Sequence, residues 1–191
     1  MNKIKLAIGT AQFGSDYGIS NKNGQVKYNE VLSILDFAWG NGIDTIDSAK
    51  AYGTSEEVIG DYLKIRICNK WNVITKLGGI VNSIAVQLED STNKLTMKPT
   101  VILAHSSELF LDEQYQEEIS IMKSKQIINK TGVSLYSEEE ILKVITSDYK
   151  PDVIQLPLNI LDSRLYRNGI LERVVNHGIE IHARTVFLQG L

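Results

Sequence analysis

Short apolar runs of strand length, each separated from the next by a longer segment of helical period, recur along the whole chain and constrain its fold more than any other feature. Strand candidates fall at Ile4 to Gly9, Gly42 to Asp47, Asn72 to Lys76, Thr100 to His105, Lys130 to Leu135, Asp152 to Leu156 and Gly178 to Arg184. Between them apolar residues recur at helical spacing: Val31, Leu35 and Ala38; Val58, Tyr62 and Leu63; Ala85, Leu88 and Leu95; Ile119 and Met122; Ile141, Leu142 and Ile145. Such alternation predicts repeated βα units around a parallel sheet, with the helical stripes packed on it. Thr54 with Glu57 and Ser137 with Glu140 have the spacing of capping boxes that open helices. Gly42 and Gly178 each stand between a helical segment and a new strand, where a left-handed residue is expected and glycine adopts it at little cost.

A closed barrel and an open doubly wound sheet can both be built from such units. The first βα connection, Gly9-Thr10-Ala11-Gln12-Phe13-Gly14, lacks the Gly-x-Gly-x-x-Gly pattern of a dinucleotide fold, and no Gly-Lys-Ser/Thr signature of a phosphate-binding loop occurs. A formal charge of −3 and a pI near 5.7 offer no basic footprint for nucleic acid or an anionic membrane, so neither partner is expected. The single cysteine, Cys68, can form no internal disulfide, and no apolar stretch approaches the roughly 20 residues of a membrane span. A soluble, cytoplasmic chain forming one domain over residues 1–191 is the expectation.

Ionisable residues close three successive strand candidates: Asp47, Lys76 and His105, with Tyr52 just beyond Asp47. Taken singly, each has a bland explanation as a turn former, a solvated strand end or a packed loop aromatic. In a barrel, however, all strand carboxyl ends open on one face, so the four would converge there. The set suits carbonyl reduction. Hydride arriving at carbon leaves negative charge on oxygen, which calls for a positioned proton donor. Tyr52 is the candidate donor, with Lys76 favouring its ionised form, Asp47 holding Lys76, and His105 orienting the carbonyl oxygen or sharing in proton transfer.

The run from Asp47 to Gly60, Asp-Ser-Ala-Lys-Ala-Tyr-Gly-Thr-Ser-Glu-Glu-Val-Ile-Gly, resembles the signature of the aldo/keto reductase family. Lys76 and His105 fall on the remaining positions of that family's tetrad. Similarity continues in Gly9 to Gly14, in Gly132-Val133-Ser134, in Gln155 with Asn159, and in Arg184 to Leu191; the opening, with Asp16 to Ile19, is most similar to the branch found in bacterial surface-polysaccharide gene clusters. The resemblance implies a (β/α)8 TIM barrel, reduction of an aldehyde or ketone with NADP(H) or NAD(H), and a small-molecule carbonyl substrate. It also implies a cofactor site of Gly9, Thr10, Asp47, Ser134 and Gln155, of which Ser134 and Gln155 contact the nicotinamide carboxamide. The pattern departs at Leu135, where the family often has asparagine.

An eight-unit barrel typically takes about 250 residues. The expectation is therefore an incomplete barrel of about seven strands without the eighth βα unit, with weak NADPH binding and self-association through open strand edges. Two other functional readings stand beside the reductase. One is a truncated or degenerate homologue that keeps the fold without catalysis; the other is a lyase forming a Schiff base on Lys76. No metal site is expected. Arg184 is read either as an anion ligand on the catalytic rim or as the partner of a structural carboxylate. His177 and His182 are read as capping or packing residues, and Asp162 with Arg164 as a surface turn.

Overall fold

The computed structural model describes residues 5–67, 70–79 and 83–190. Ile4, at the start of the first strand candidate, and Cys68 lie outside them. Seven strands run parallel in sequence order: β1 (Ile8–Gly9), β2 (Thr45–Asp47), β3 (Asn72–Leu77), β4 (Val101–Ala104), β5 (Lys130–Ser134), β6 (Val153–Pro157) and β7 (Glu180–Arg184). Each pairs with its neighbours in the chain, and the sheet curls into an incomplete (β/α)8 barrel. This is the alternation read from the sequence: a strand falls within or across every candidate, the first shortened to Ile8–Gly9 and the second to Thr45–Asp47.

Helices return the chain over the outside. The longer ones are α2 (Tyr28–Gly40), α3 (Ser55–Ile65), α4 (Ile84–Leu95), α6 (Glu113–Ser124), α7 (Glu138–Thr146) and α9 (Ile170–Asn176); single-turn helices α1 (Ala11–Gly14), α5 (Ser107–Phe110) and α8 (Arg164–Arg167) lie between them. Among the described residues no helix is long and apolar enough to cross a membrane. Gly42 and Gly178 take positive φ, 78° and 74°, as their positions require.

Two layers of apolar side chains hold this arrangement. Outside the sheet, Ile46 and Val73 pack with Val31, Leu35, Ile59 and Tyr62, while Ile102, Val133, Ile154 and Leu156 pack with Ile119, Ile141, Ile145 and Val174. Inside, a small separate cluster of Ile74, Val101, Leu103 and Val153 fills the barrel floor. Successive strand residues face opposite sides, so stepping by two from that floor gives the next inward position on each strand. Those positions are Lys76 on β3, His105 just past β4 and Gln155 on β6, and by the same alternation Asp47, Ser134 and Arg184. The hydrophobic floor and the polar mouth are thus two storeys of one period-2 pattern.

Local expectations met different fates. Ser137 and Glu140 form a complete capping box at α7. Thr54 does not: it precedes α3 with φ −90° and ψ 10°, outside the extended geometry that aims a cap hydroxyl at the first turn, and makes no capping hydrogen bond. Its Oγ1 instead accepts from Gln25 Nε2 at 3.1 Å. On α4 the buried face is Ile84, Gln87, Leu88, Ser91 and Leu95, while Ala85 faces out. Two polar residues occupy that stripe because the structure supplies their partners: Gln87 Oε1 accepts from Gly78 N, and Ser91 Oγ donates to Glu56.

Candidate active site

The inward residues at the carboxyl end of the sheet meet as the sequence predicts. Lys76 is 1% exposed and its ammonium donates to Asp47 Oδ1 at 3.0 Å, Asp47 Oδ2 at 2.8 Å and the Ser48 carbonyl at 2.8 Å. A buried ammonium survives only with such partners, and here all its donor capacity is used. Gln155 Nε2 donates to the same carboxylate at 3.0 Å, so β6 is tied to β2 across the barrel.

Tyr52 is fixed through backbone. Past β2 the chain keeps pairing with β3 through Ser48 N to Ile74 O at 2.9 Å and Lys50 N to Lys76 O at 3.1 Å. The loop then turns against the β1 connection, where Thr54 N donates to Gly14 O. A Cβ on Gly14 would stand 1.8 Å from Tyr52 O, and one on Gly53, itself at φ +55°, would stand 2.1 Å from Gly14 O. The two glycines therefore allow a backbone contact that no other pair of residues permits, and it sets where Tyr52 sits. Buried hydroxyls brace the same junction: Ser55 Oγ donates toward Thr10 at 2.8–3.0 Å and lies 3.0 Å from Ser48 Oγ, while Thr10 Oγ1 donates to Asp47 O.

The result places the Lys76 ammonium 4.8 Å from the centre of the Tyr52 ring, with His105 edge-on to that ring at 6.5 Å and 83°. Neither the phenol hydroxyl nor the imidazole has a hydrogen-bond partner among the described residues. Burial, reinforced by the positive charges of Lys76 and Arg184 and opposed by Asp47, holds His105 below the ordinary imidazole value, so it is neutral at pH 7. Arg184, at the end of β7, donates from Nη2 to Leu135 O at 3.3 Å and lies 3.8 Å over the Tyr136 ring. Sequence reading did not single out Tyr136, which bears no charge and sits in a connecting loop.

The predicted cofactor residues divide into two kinds. Ser134 and Gln155 are buried on the inner face and linked by a long 3.3 Å hydrogen bond, which leaves donor and acceptor capacity unfilled. Gly9 lies opposite Asp47 with nothing within 4 Å of where a Cβ would be, an open ledge at the mouth. These fit the carboxamide and flat ring of a nicotinamide. The Thr10 hydroxyl, in contrast, is turned into the scaffold. Glu56 is also a scaffold residue, buried and accepting from Thr75 Oγ1 at 2.6 Å and from Ser91. Among the described residues no cluster of three or more metal-ligating side chains occurs.

Fold and site together define a barrel with a Tyr-Lys-Asp-His mouth. The chain belongs to the aldo/keto reductase family, whose sequence model matches residues 5–191. Among solved structures, a candidate aldo-keto reductase from Pseudomonas aeruginosa is 23% identical with a TM-score of 0.76, covering 93% of this chain and 71% of its own. An aldo/keto reductase from Klebsiella pneumoniae, solved with NADP and acetate, is 16% identical with a TM-score of 0.72 over 94% of this chain and 62% of its own. Aldose reductase from Giardia lamblia is 16% identical with a TM-score of 0.68 over 94% and 64%. The chain thus spans under two thirds of the length of the latter two. No curated protein matches it.

Proposed function

We propose that the chain carries the catalytic mouth of a reductase that converts an aldehyde or ketone to an alcohol, with NADPH or NADH as the reductant and Tyr52 as the proton donor. When bound, the nicotinamide supplies a hydride to the carbonyl carbon. The residues of this chain do the rest. Ser134 and Gln155 offer hydrogen bonds to a carboxamide and would fix the ring's presented face. Tyr52 gives its proton to the carbonyl oxygen as charge develops there, and Lys76, held charged by Asp47, stabilises the tyrosinate left behind. His105, neutral at pH 7, offers one ring N–H to the same oxygen without competing for the proton.

The observation that carries this reading is an unbonded Tyr52 hydroxyl beside a buried Lys76 ammonium, paired with Asp47 and 4.8 Å from the centre of the Tyr52 ring. It also weighs against a Schiff-base role for Lys76, whose nitrogen is buried and spends all its protons on Asp47 and Ser48. The test is Tyr52→Phe. Turnover with a simple aldehyde should fall about 10² to 10⁴-fold while nucleotide affinity stays near wild type. A variant that keeps normal turnover would remove Tyr52 from the mechanism.

A further inference from the structure

Among the described residues, Arg184 is the charged, inward-facing residue of the mouth that the reductase reading leaves without a task. Its sequence offered two roles, an anion ligand or half of a structural ion pair, and the second has no support: among the described residues no carboxylate lies within ion-pair distance of the guanidinium. What holds the side chain is weak or non-ionic. The Tyr136 ring lies under it, Leu135 O accepts one bond at 3.3 Å, Nε is sealed from solvent without a partner, and Nη1 makes no hydrogen bond and is not sealed. A guanidinium with a buried unsatisfied Nε and a free Nη edge is costly to keep unless something fills that edge.

The charge count points the same way. Asp47 is negative, Lys76 and Arg184 are positive and His105 is neutral, so the inward groups of the mouth carry one positive charge in excess. Arg184 ends β7 on the inner face of the sheet, the face on which His105 follows β4. Immediately beyond it the chain holds Thr185 at φ 61°, Leu188 at φ 50° and Gln189 at φ 59°. Three non-glycine residues in the left-handed region within one turn are the kind of strain found where a loop is shaped for binding.

We infer that Arg184 binds an oxyanion group of the substrate, so that the preferred substrates are carbonyl compounds carrying a carboxylate or a phosphate. This rests on the reductase reading for the word substrate, but binding of the anion does not need turnover. A planar fork stacked on an aromatic ring suits either group, and a charge-assisted hydrogen bond is strong enough to dominate the affinity of a small ligand.

The experiment titrates the full chain with pyruvate, with inorganic phosphate and with pyruvamide, the uncharged analogue of pyruvate, following the ring resonances of His105 and Tyr136 by NMR. Pyruvate or phosphate should saturate with shifts at both rings, and pyruvamide should bind about tenfold or more weakly. The tighter of the two anions decides between carboxylate and phosphate. Arg184→Met should weaken anion binding by a similar factor, Arg184→Lys should recover part of it, and Arg173→Met, at an exposed arginine near the end of α9 that leads into the amino end of β7, should change nothing. Should the Met variant not fold, Arg184→Gln takes its place. Equal binding of pyruvate and pyruvamide would overturn the inference, as would anion affinity surviving in Arg184→Met, or a loss confined to NADPH affinity. Anion binding without carbonyl reduction would instead defeat the reductase reading and leave this one standing.

Discussion

The two walls of the barrel mouth are built to different standards. On the β2–β4 side, every residue of β3 after Asn72 is buried, the Lys76 ammonium has three acceptors, and two buried networks, Thr10 with Ser48 and Ser55, and Glu56 with Thr75 and Ser91, satisfy their own hydroxyls and carboxylate. On the β6–β7 side, no residue of β7 is fully buried, Arg184 keeps an unpaired Nε, and the turn after it is strained. The first wall therefore holds the proposed catalytic groups in place before anything binds, and the second presents polar groups with unfilled hydrogen-bonding capacity. Buried polar networks are rigid when complete, which suits the first wall to the proposed proton transfer and leaves the second to the proposed recognition.

Breaking the first wall should have the largest effect. Lys76→Met leaves the Asp47 carboxylate with only Gln155 to answer its charge, and removal of one member of a buried pair typically costs about 3–5 kcal/mol. Asp47 retains some exposure, which puts the expected loss at the lower end of that range, about 3 kcal/mol. Urea unfolding measures it. An unchanged midpoint would mean the pair contributes nothing to the fold, and the contrast between the walls would collapse. Arg184→Met, which removes an unsatisfied buried donor along with a ring contact, should move the same midpoint by less than about 1 kcal/mol.

Next in size is Gly53→Ala, which forces a methyl to within about 2 Å of Gly14 O at a positive φ. Overpacking against backbone typically costs about 1–3 kcal/mol, and here the strain must be relieved by moving the loop that carries Tyr52. Denaturation should show the loss, and turnover should fall further than stability alone explains. Full activity in Gly53→Ala would show that the Gly14–Gly53 contact does not position the phenol.

Much of this was legible in the chain. The βα alternation predicted all seven strands because short apolar runs of strand length leave few other uses, and the meeting of Asp47, Tyr52, Lys76 and His105 was legible because strand ends of a barrel share one face. What escaped has a common cause. The Thr54 cap failed because its backbone is drawn toward Gly14, a contact between segments about forty residues apart that no local spacing announces. Gln87 and Ser91 lie on the buried stripe of α4 because Gly78 and Glu56 meet them there, and polar residues in an apolar stripe read as solvent-facing until their partners are placed. Arg184 stayed ambiguous for the same reason: its role depends on which carboxylates are absent around it.

On the second wall, Thr185→Gly should stabilise the protein by about 1 kcal/mol, since a β-branched residue held in the left-handed region is strained and glycine is not. Relief of that strain should weaken pyruvate or phosphate binding by loosening Arg184. Thermal unfolding beside the NMR titration separates the two effects. A destabilised Thr185→Gly would mean that the turn carries no strain worth releasing.

The smallest effect links the walls, because the charge of Arg184 depresses the protonation of His105 across the mouth. In the unfolded chain His105 takes up a proton near pH 6.5, whereas burial, Lys76 and Arg184 make the folded chain resist until lower pH. Between those two values the unfolded state binds more protons, so stability rises with pH through that window. It is fully present above pH 6.5 and is lost as pH falls toward the folded value. His105→Gln should therefore gain on the wild type as acidification proceeds, read as converging urea midpoints from pH 7 downward. Arg184→Met removes one of the two depressing charges but not the burial, which is the larger cause, so in that variant the His105 imidazole should titrate at a higher pH than in the wild type while staying below its ordinary value. An NMR titration of the ring protons measures this directly. An unmoved His105 would place Arg184 out of electrostatic reach of the carbonyl site, and the second wall would then contribute shape to the mouth without contributing charge.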